Sequence, residues 1–101
     1  MPKIAVVGEM STAPEDFAAF YELMATHAAA SRQEPGCLRF DLATPLEGEP
    51  GRLLLYELYA DRASFDAHAS TERLKAHRAK TGPLVRERRL AICELRDSHE
   101  L

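Results

Sequence analysis

A carboxylate and an imidazole stand where the hydrophobic pattern asks for apolar side chains. Glu57 interrupts RLLLYELY (residues 52–59), the most apolar run of the chain, and His68 follows Phe65 at a three-residue step that puts both on one side of a helix. A carboxylate taken out of water needs a partner or a purpose. Two readings of Glu57 follow: an ion pair with Arg39 on the neighbouring strand, which is structural, or a place in the wall of a polar cavity. An imidazole titrates near neutrality, so His68 suits proton transfer as well as packing. His27 repeats the pattern seven residues after Phe20 on an earlier helix. If both helices cover the same side of one sheet, the two histidines and Glu57 face a common space. A cavity with a few convergent polar groups is the usual form of a small-molecule site.

Other chemistries lack their patterns. The histidines at 27, 68, 77 and 99 have no metal-ligand spacing, and Cys37 and Cys93 lie far apart with no CxxC motif, so no metal is expected. There is no GxSxG elbow, glycine-rich phosphate loop or dinucleotide fingerprint. A net charge of −3 gives no general attraction to nucleic acid or an anionic membrane, and neither is expected as a partner. The basic run Arg73, Lys75, Arg78, Lys80, Arg86, Arg88 and Arg89 reads first as a solvated helix face and strand entry. An anionic substrate group or cross-dimer salt links are its other uses. Two isolated cysteines, with no signal peptide or membrane span, point to a reduced, cytoplasmic protein.

The elements that must position these residues follow from periodicity and punctuation. With 101 residues, 46% of them hydrophobic, the chain reads as a single domain over 1–101. A strand is predicted over residues 3 to 10. Ser11 to Asp16 reads as a helix start with hydroxyl caps, and the helix runs to about Gln33, its inner stripe Phe17, Phe20, Met24, His27 and Ser31. Glu34-Pro35-Gly36 stops it. Residues 37–44 alternate as a strand, with Leu38, Phe40 and Leu42 on one face and Cys37, Arg39 and Asp41 on the other. The strand 52–59 follows, with Leu53, Leu55, Glu57 and Tyr59 sharing a face. Asp61 caps a helix to about Ala69, Ser70-Thr71 restarts it to Lys80, and a last strand covers 88–96 before a frayed tail.

The order βαββαβ predicts an α+β, ferredoxin-like antiparallel sheet with its helices on one face. The 52–59 strand is apolar on both faces, so the bare side of the sheet needs a cover. A second copy of the chain, giving a dimeric α+β barrel, is the simplest one.

Glu34-Pro35-Gly36-Cys37, Arg39, Phe40, Leu55-Tyr56-Glu57, Tyr59, Asp61, Phe65, His68 and Thr71 together resemble the antibiotic biosynthesis monooxygenase (ABM) family, quinol monooxygenases included. The likeness covers nearly the whole chain. It implies a homodimer whose subunits each hold a cavity between sheet and helices. It also implies oxygenation of a small aromatic phenol or quinol by dioxygen without a cofactor, the deprotonated substrate itself reducing dioxygen. On that resemblance His68 is the base or the partner of the substrate oxygen, Tyr56 and Glu57 orient it, and His27 closes the cavity. Arg39, Phe65 and Arg73 are the remaining candidates for substrate contact. Where relatives often carry a second histidine, this chain reads Thr71-Glu72-Arg73-Leu74. That departure favours an alternative: an isomerase or related enzyme on an anionic or phosphorylated compound held near Arg73 and Arg78. A non-catalytic dimeric binding module is the third reading.

Overall fold

Hydrogen bonding of backbone groups in four extended runs organises the computed structural model, which describes residues 2–99. The strands are β1 (Ile4–Thr12), β2 (Cys37–Ala43), β3 (Arg52–Tyr59) and β4 (Val85–Glu94); the helices are α1 (Phe17–Ser31), α2 (Arg62–Ala69) and α3 (Glu72–Thr81). They form one antiparallel sheet in the order β2-β3-β1-β4, the ferredoxin-like arrangement. The two central strands are the ones that carry apolar side chains on alternate positions. Ile4, Val6 and Met10 of β1 and Leu53, Leu55 and Tyr59 of β3 join Phe20 and Met24 of α1 in one core. Phe20, Leu53 and Tyr59 are completely buried. Truncating Phe20 to alanine removes a side chain at a site of this kind, a change that costs about 3–5 kcal/mol.

The helix boundaries follow local chemistry. Asp61 has extended backbone and its carboxylate accepts from Ser64 N–H at 2.8 Å, starting α2. Thr71 starts α3 in the same way, its hydroxyl accepting from Leu74 N–H at 3.1 Å. The entry to α1 differs from the sequence expectation. Ser11 and Thr12 stay in the sheet, where Ser11 has Arg52 on one side and Glu87 on the other. Ala13 precedes a single 3₁₀ turn over Pro14–Asp16 with no side-chain cap, and the fixed φ of Pro14 begins the turn instead. Available partners on both edges of β1 outweigh the capping tendency of two hydroxyls. The last strand likewise starts at Val85, earlier than expected, because Thr12 extends the ladder to meet it.

The alternation expected along β2 is corrected by a register shift between Cys37 and Arg39. Cys37 lies opposite Tyr59, but Arg39 lies opposite Leu58 and Phe40 opposite Glu57. The extra residue reverses the phase at the strand's start. Cys37 therefore packs on the core with Phe40 and Leu42, while Leu38 is exposed. Just before it, Gly36 takes φ +85° and lies so close to Ser64 of α2 that an added Cβ would collide with that side chain. Its carbonyl accepts from Ala60 N–H at 2.8 Å, which ties the end of α1 to the start of α2.

Among the described residues the helices cover one face of this sheet. On the bare face lie Val7, which is 52% exposed, Leu54, Tyr56 and Leu58, with Ala91 of β4 beside Val7. Among the described residues no helix is long and apolar enough to cross a membrane. The polar tail that reads as frayed has no regular element through His99, and its last two residues lie outside the described range.

Candidate active site

Between the sheet and the helices is a cavity of about 70 Å³, room for several water molecules or the edge of a flat ring. Val6, Leu55 and Glu57 form its floor, His27 and Met24 come from α1, and Phe65 and His68 come from α2. α3 adds Leu74, His77 and Arg78, and the cavity opens along β4 past Leu90 and Ile92, the latter 58% exposed. The walls are mostly apolar. Their polar groups fall into two sets.

The first set surrounds His68, which is only 5% exposed. Its Nδ1 lies 2.7 Å from Glu34 Oε1 and its Nε2 lies 3.7 Å from Glu57 Oε1. The imidazole thus sits between two carboxylates. The second oxygen of Glu34 accepts from Arg73, which also reaches Ser31 Oγ at 3.3 Å. Glu57 accepts from the Tyr59 hydroxyl at 2.5 Å. Burial pushes the Glu57 carboxyl above the usual range, against the opposing pull of the Tyr59 hydrogen bond and His68. Burial, with the Glu57 hydrogen bond and charge added, pushes the Tyr59 phenol up as well, so it stays a donor.

The second set is the pair His27 and His77, whose rings stack with centroids 4.0 Å apart and planes 8° from parallel. Burial, then the neighbouring histidines and arginines, lower His27 to about 3. Burial followed by Arg78, Arg88, Lys80 and Arg73 lowers His77 to about 4. Both rings are neutral near pH 7 and available as hydrogen-bonding groups. His77 Nε2 lies 3.2 Å from Met24 Sδ, whereas His27 Nδ1 is buried without a partner among the described residues. An unsatisfied ring nitrogen in a cavity wall is a place for a ligand or water to bond.

The structure brings together His68, Glu57, His27 and Phe65 at one cavity. Three other candidates lie elsewhere. Tyr56 is on the opposite face of β3, level with Val7 and Asp41, because successive residues of a strand alternate. The hydroxyl that reaches Glu57 belongs to Tyr59, two residues further on the same face. Arg39 is on that opposite face too, and it pairs with Asp41 at 2.7 Å rather than with Glu57, so the expected ion pair is absent. Arg73 approaches the site only through Glu34, which neutralises it. Glu34 and His77 are the residues the sequence did not single out. Glu34 sits in a Glu-Pro-Gly triplet that reads simply as a helix stop, and His77 sits in a charged helix. The cue for Glu34 was its place at the head of the Glu34-Pro35-Gly36-Cys37 motif that carries the family resemblance, which gave it no role of its own. Among the described residues no group of three or more His, Cys, Asp and Glu side chains is placed to hold a metal ion.

Comparison with known proteins agrees with this architecture. Residues 3–80 match the family described as "Antibiotic biosynthesis monooxygenase". The "Putative monooxygenase Rv0793" of Mycobacterium tuberculosis is 29% identical over 82 residues, 81% of this chain and 79% of that protein. The solved structure of Rv0793 superposes with a TM-score of 0.88 at 26% identity, covering 97% of this chain and 99% of the other. A Deinococcus radiodurans structure gives the same TM-score at 22% identity over 97% of each chain, a likeness of fold. The chain belongs to the antibiotic biosynthesis monooxygenase family.

Proposed function

We propose that this member of the antibiotic biosynthesis monooxygenase family oxidises a small electron-rich phenol or hydroquinone with dioxygen, using no cofactor. The observation that carries the reading is His68, held between Glu34 and Glu57 at the wall of a mostly apolar cavity. In this reading the Nδ1–H of His68 donates to Glu34, 2.7 Å away, and Nε2 is the nitrogen that faces the substrate. A phenol at that nitrogen gives up its proton, and the resulting anion has the electron density to reduce dioxygen. A carbon–oxygen bond forms to give a hydroperoxide. Its oxygen–oxygen bond then breaks with loss of water, leaving a new carbonyl on the ring. One oxygen atom ends in the product and one in water, and the substrate supplies all the electrons. The apolar walls limit water around the reactive pair. His27 Nδ1, without a partner among the described residues, is a second hydrogen-bonding point for a substrate oxygen.

The proposal includes a homodimer. The row Val7, Leu54, Tyr56 and Leu58 on the bare face of the sheet is the surface that a second subunit would cover.

Dissolved-oxygen uptake by purified, metal-free protein with a panel of hydroquinones and polyphenols tests the reaction. Uptake that depends on His68 supports it. Absence of uptake across the panel, with the protein folded, overturns it.

A further inference from the structure

We propose that the outer end of the cavity binds an anionic group, carboxylate or phosphate, on a substrate whose aromatic ring occupies the inner end beside His68. This rests on the reading of the cavity as a substrate site, and it specifies the chemical class of that substrate. Arg78, from the last turn of α3, and Arg88, from β4, both line the cavity. Both also line an adjoining hollow of about 290 Å³, together with Arg86 and the Thr81 residue. The lining of that hollow holds three arginines and no acid.

Four arginines elsewhere are neutralised by acids, whereas Arg32, Arg89 and Arg96 have none within ion-pair distance among the described residues. Arg39, Arg52, Arg62 and Arg73 pair with Asp41, Glu9, Asp66 and Glu34. None of Arg78, Arg86 and Arg88 has an acid within ion-pair distance among the described residues. The register explains how the cluster arises. Arg88 lies opposite Met10 and so points to the helix side of the sheet, whereas Glu87 lies opposite Ser11 on the other face. A basic residue in the last turn complements the helix dipole, which accounts for Arg78 alone and not for two strand arginines brought up to it. Burial and the Arg78 charge both disfavour a proton on Arg88, and Glu57 opposes them more weakly. Arginines that repel one another at the mouth of an apolar cavity are relieved by an anion, which the planar guanidinium binds in two-pronged fashion.

The sequence suggested Arg73 and Arg78 for such a role. Arg73 is committed to Glu34, and Arg88 takes its place.

Three probes of matched length test the proposal: hydroquinone carrying a propyl chain, the same chain ending in carboxylate, and the same chain ending in phosphate. Titration calorimetry without oxygen reads binding alone. At least one anionic probe is expected to bind about tenfold more tightly than the neutral one, and the advantage shrinks as salt is added. In the Arg78→Gln/Arg88→Gln variant, shown folded by circular dichroism, the three probes are expected to bind alike. The better of the two anionic probes identifies the acid. Equal binding of all three by the unaltered protein, no binding by any, or an advantage that survives in the variant overturns the proposal. Tight anionic binding with no oxygen uptake would leave this subsite standing and remove the monooxygenase reading.

Discussion

One cavity holds histidines in two opposite settings. At the inner end His68 lies between Glu34 and Glu57; His77, toward the outer end with Arg78 and Arg88, stacks on His27. The same side chain is surrounded by negative charge in one place and by positive charge in the other. Burial and the neighbouring positive charges oppose a charged imidazole at His27 and His77. Residue type therefore says little here about proton chemistry. The neighbours brought by other elements decide it: two carboxylates flank His68, and burial and basic side chains hold His27 and His77 neutral.

The largest expected effect breaks the inner end. Replacing His68 with alanine should lower oxygen uptake by about 10²–10⁴-fold, the range for loss of a positioned general base. Uptake within a few-fold of the unaltered protein would place the base elsewhere. Next, Tyr59→Phe removes the donor to buried Glu57 with little change in shape. Urea unfolding should show a loss of about 1–3 kcal/mol, the usual penalty of an unpartnered buried polar group. An unchanged midpoint would mean that Glu57 finds another partner or is protonated already.

The outer end is sharpened by pH. Because His27 and His77 are lowered in the folded chain to about 3 and about 4, the unfolded chain binds more protons from about pH 6.5 downward. Stability from this pair is present above 6.5 and is lost as pH falls toward 4 for His77 and toward 3 for His27. Glu57 runs the other way: its raised value means that the folded chain binds more protons, so its contribution declines as pH rises above 4.5. His27→Phe should flatten the acid side of the stability profile by at most about 1.4 kcal/mol per pH unit. Parallel profiles for the two proteins would contradict the neutral outer end. Smallest of all, Arg39→Ala removes an exposed pair on the bare face and should change stability by about 0.5 kcal/mol or less, read by the same urea titration. A loss of several kcal/mol would show that Arg39 matters beyond its exposed pairing with Asp41.

The elements themselves were legible because periodicity and capping are local properties. Asp61 and Thr71 start their helices as their side chains predict, and Glu57 shares a face with Leu53, Leu55 and Tyr59. What escaped depends on parity and on long-range pairing. A single extra residue at the start of β2 sends Cys37 to the core and Leu38 to solvent, and no composition signal marks it. Tyr59, not Tyr56, reaches Glu57 by the regular alternation of β3 that the sequence already showed; the role of Tyr56 came from the resemblance. Glu34 was hidden because its partners, His68 and Arg73, are 34 and 39 residues away. Its role exists only once the turn after α1 has been folded against α2.

Gly36 makes that turn against α2, and its importance is mechanical. It is the spacer between two parts of a machine, and its lack of a side chain sets how closely they seat. Even alanine there would meet Ser64 and an unfavourable φ, pushing α2 and the turn apart. The two parts carry His68 and Glu34, so a widened seat would change no polar side chain of the inner end and still lengthen the hydrogen bond between them. The contact between these two side chains has a tolerance, and a residue with no side chain fixes it.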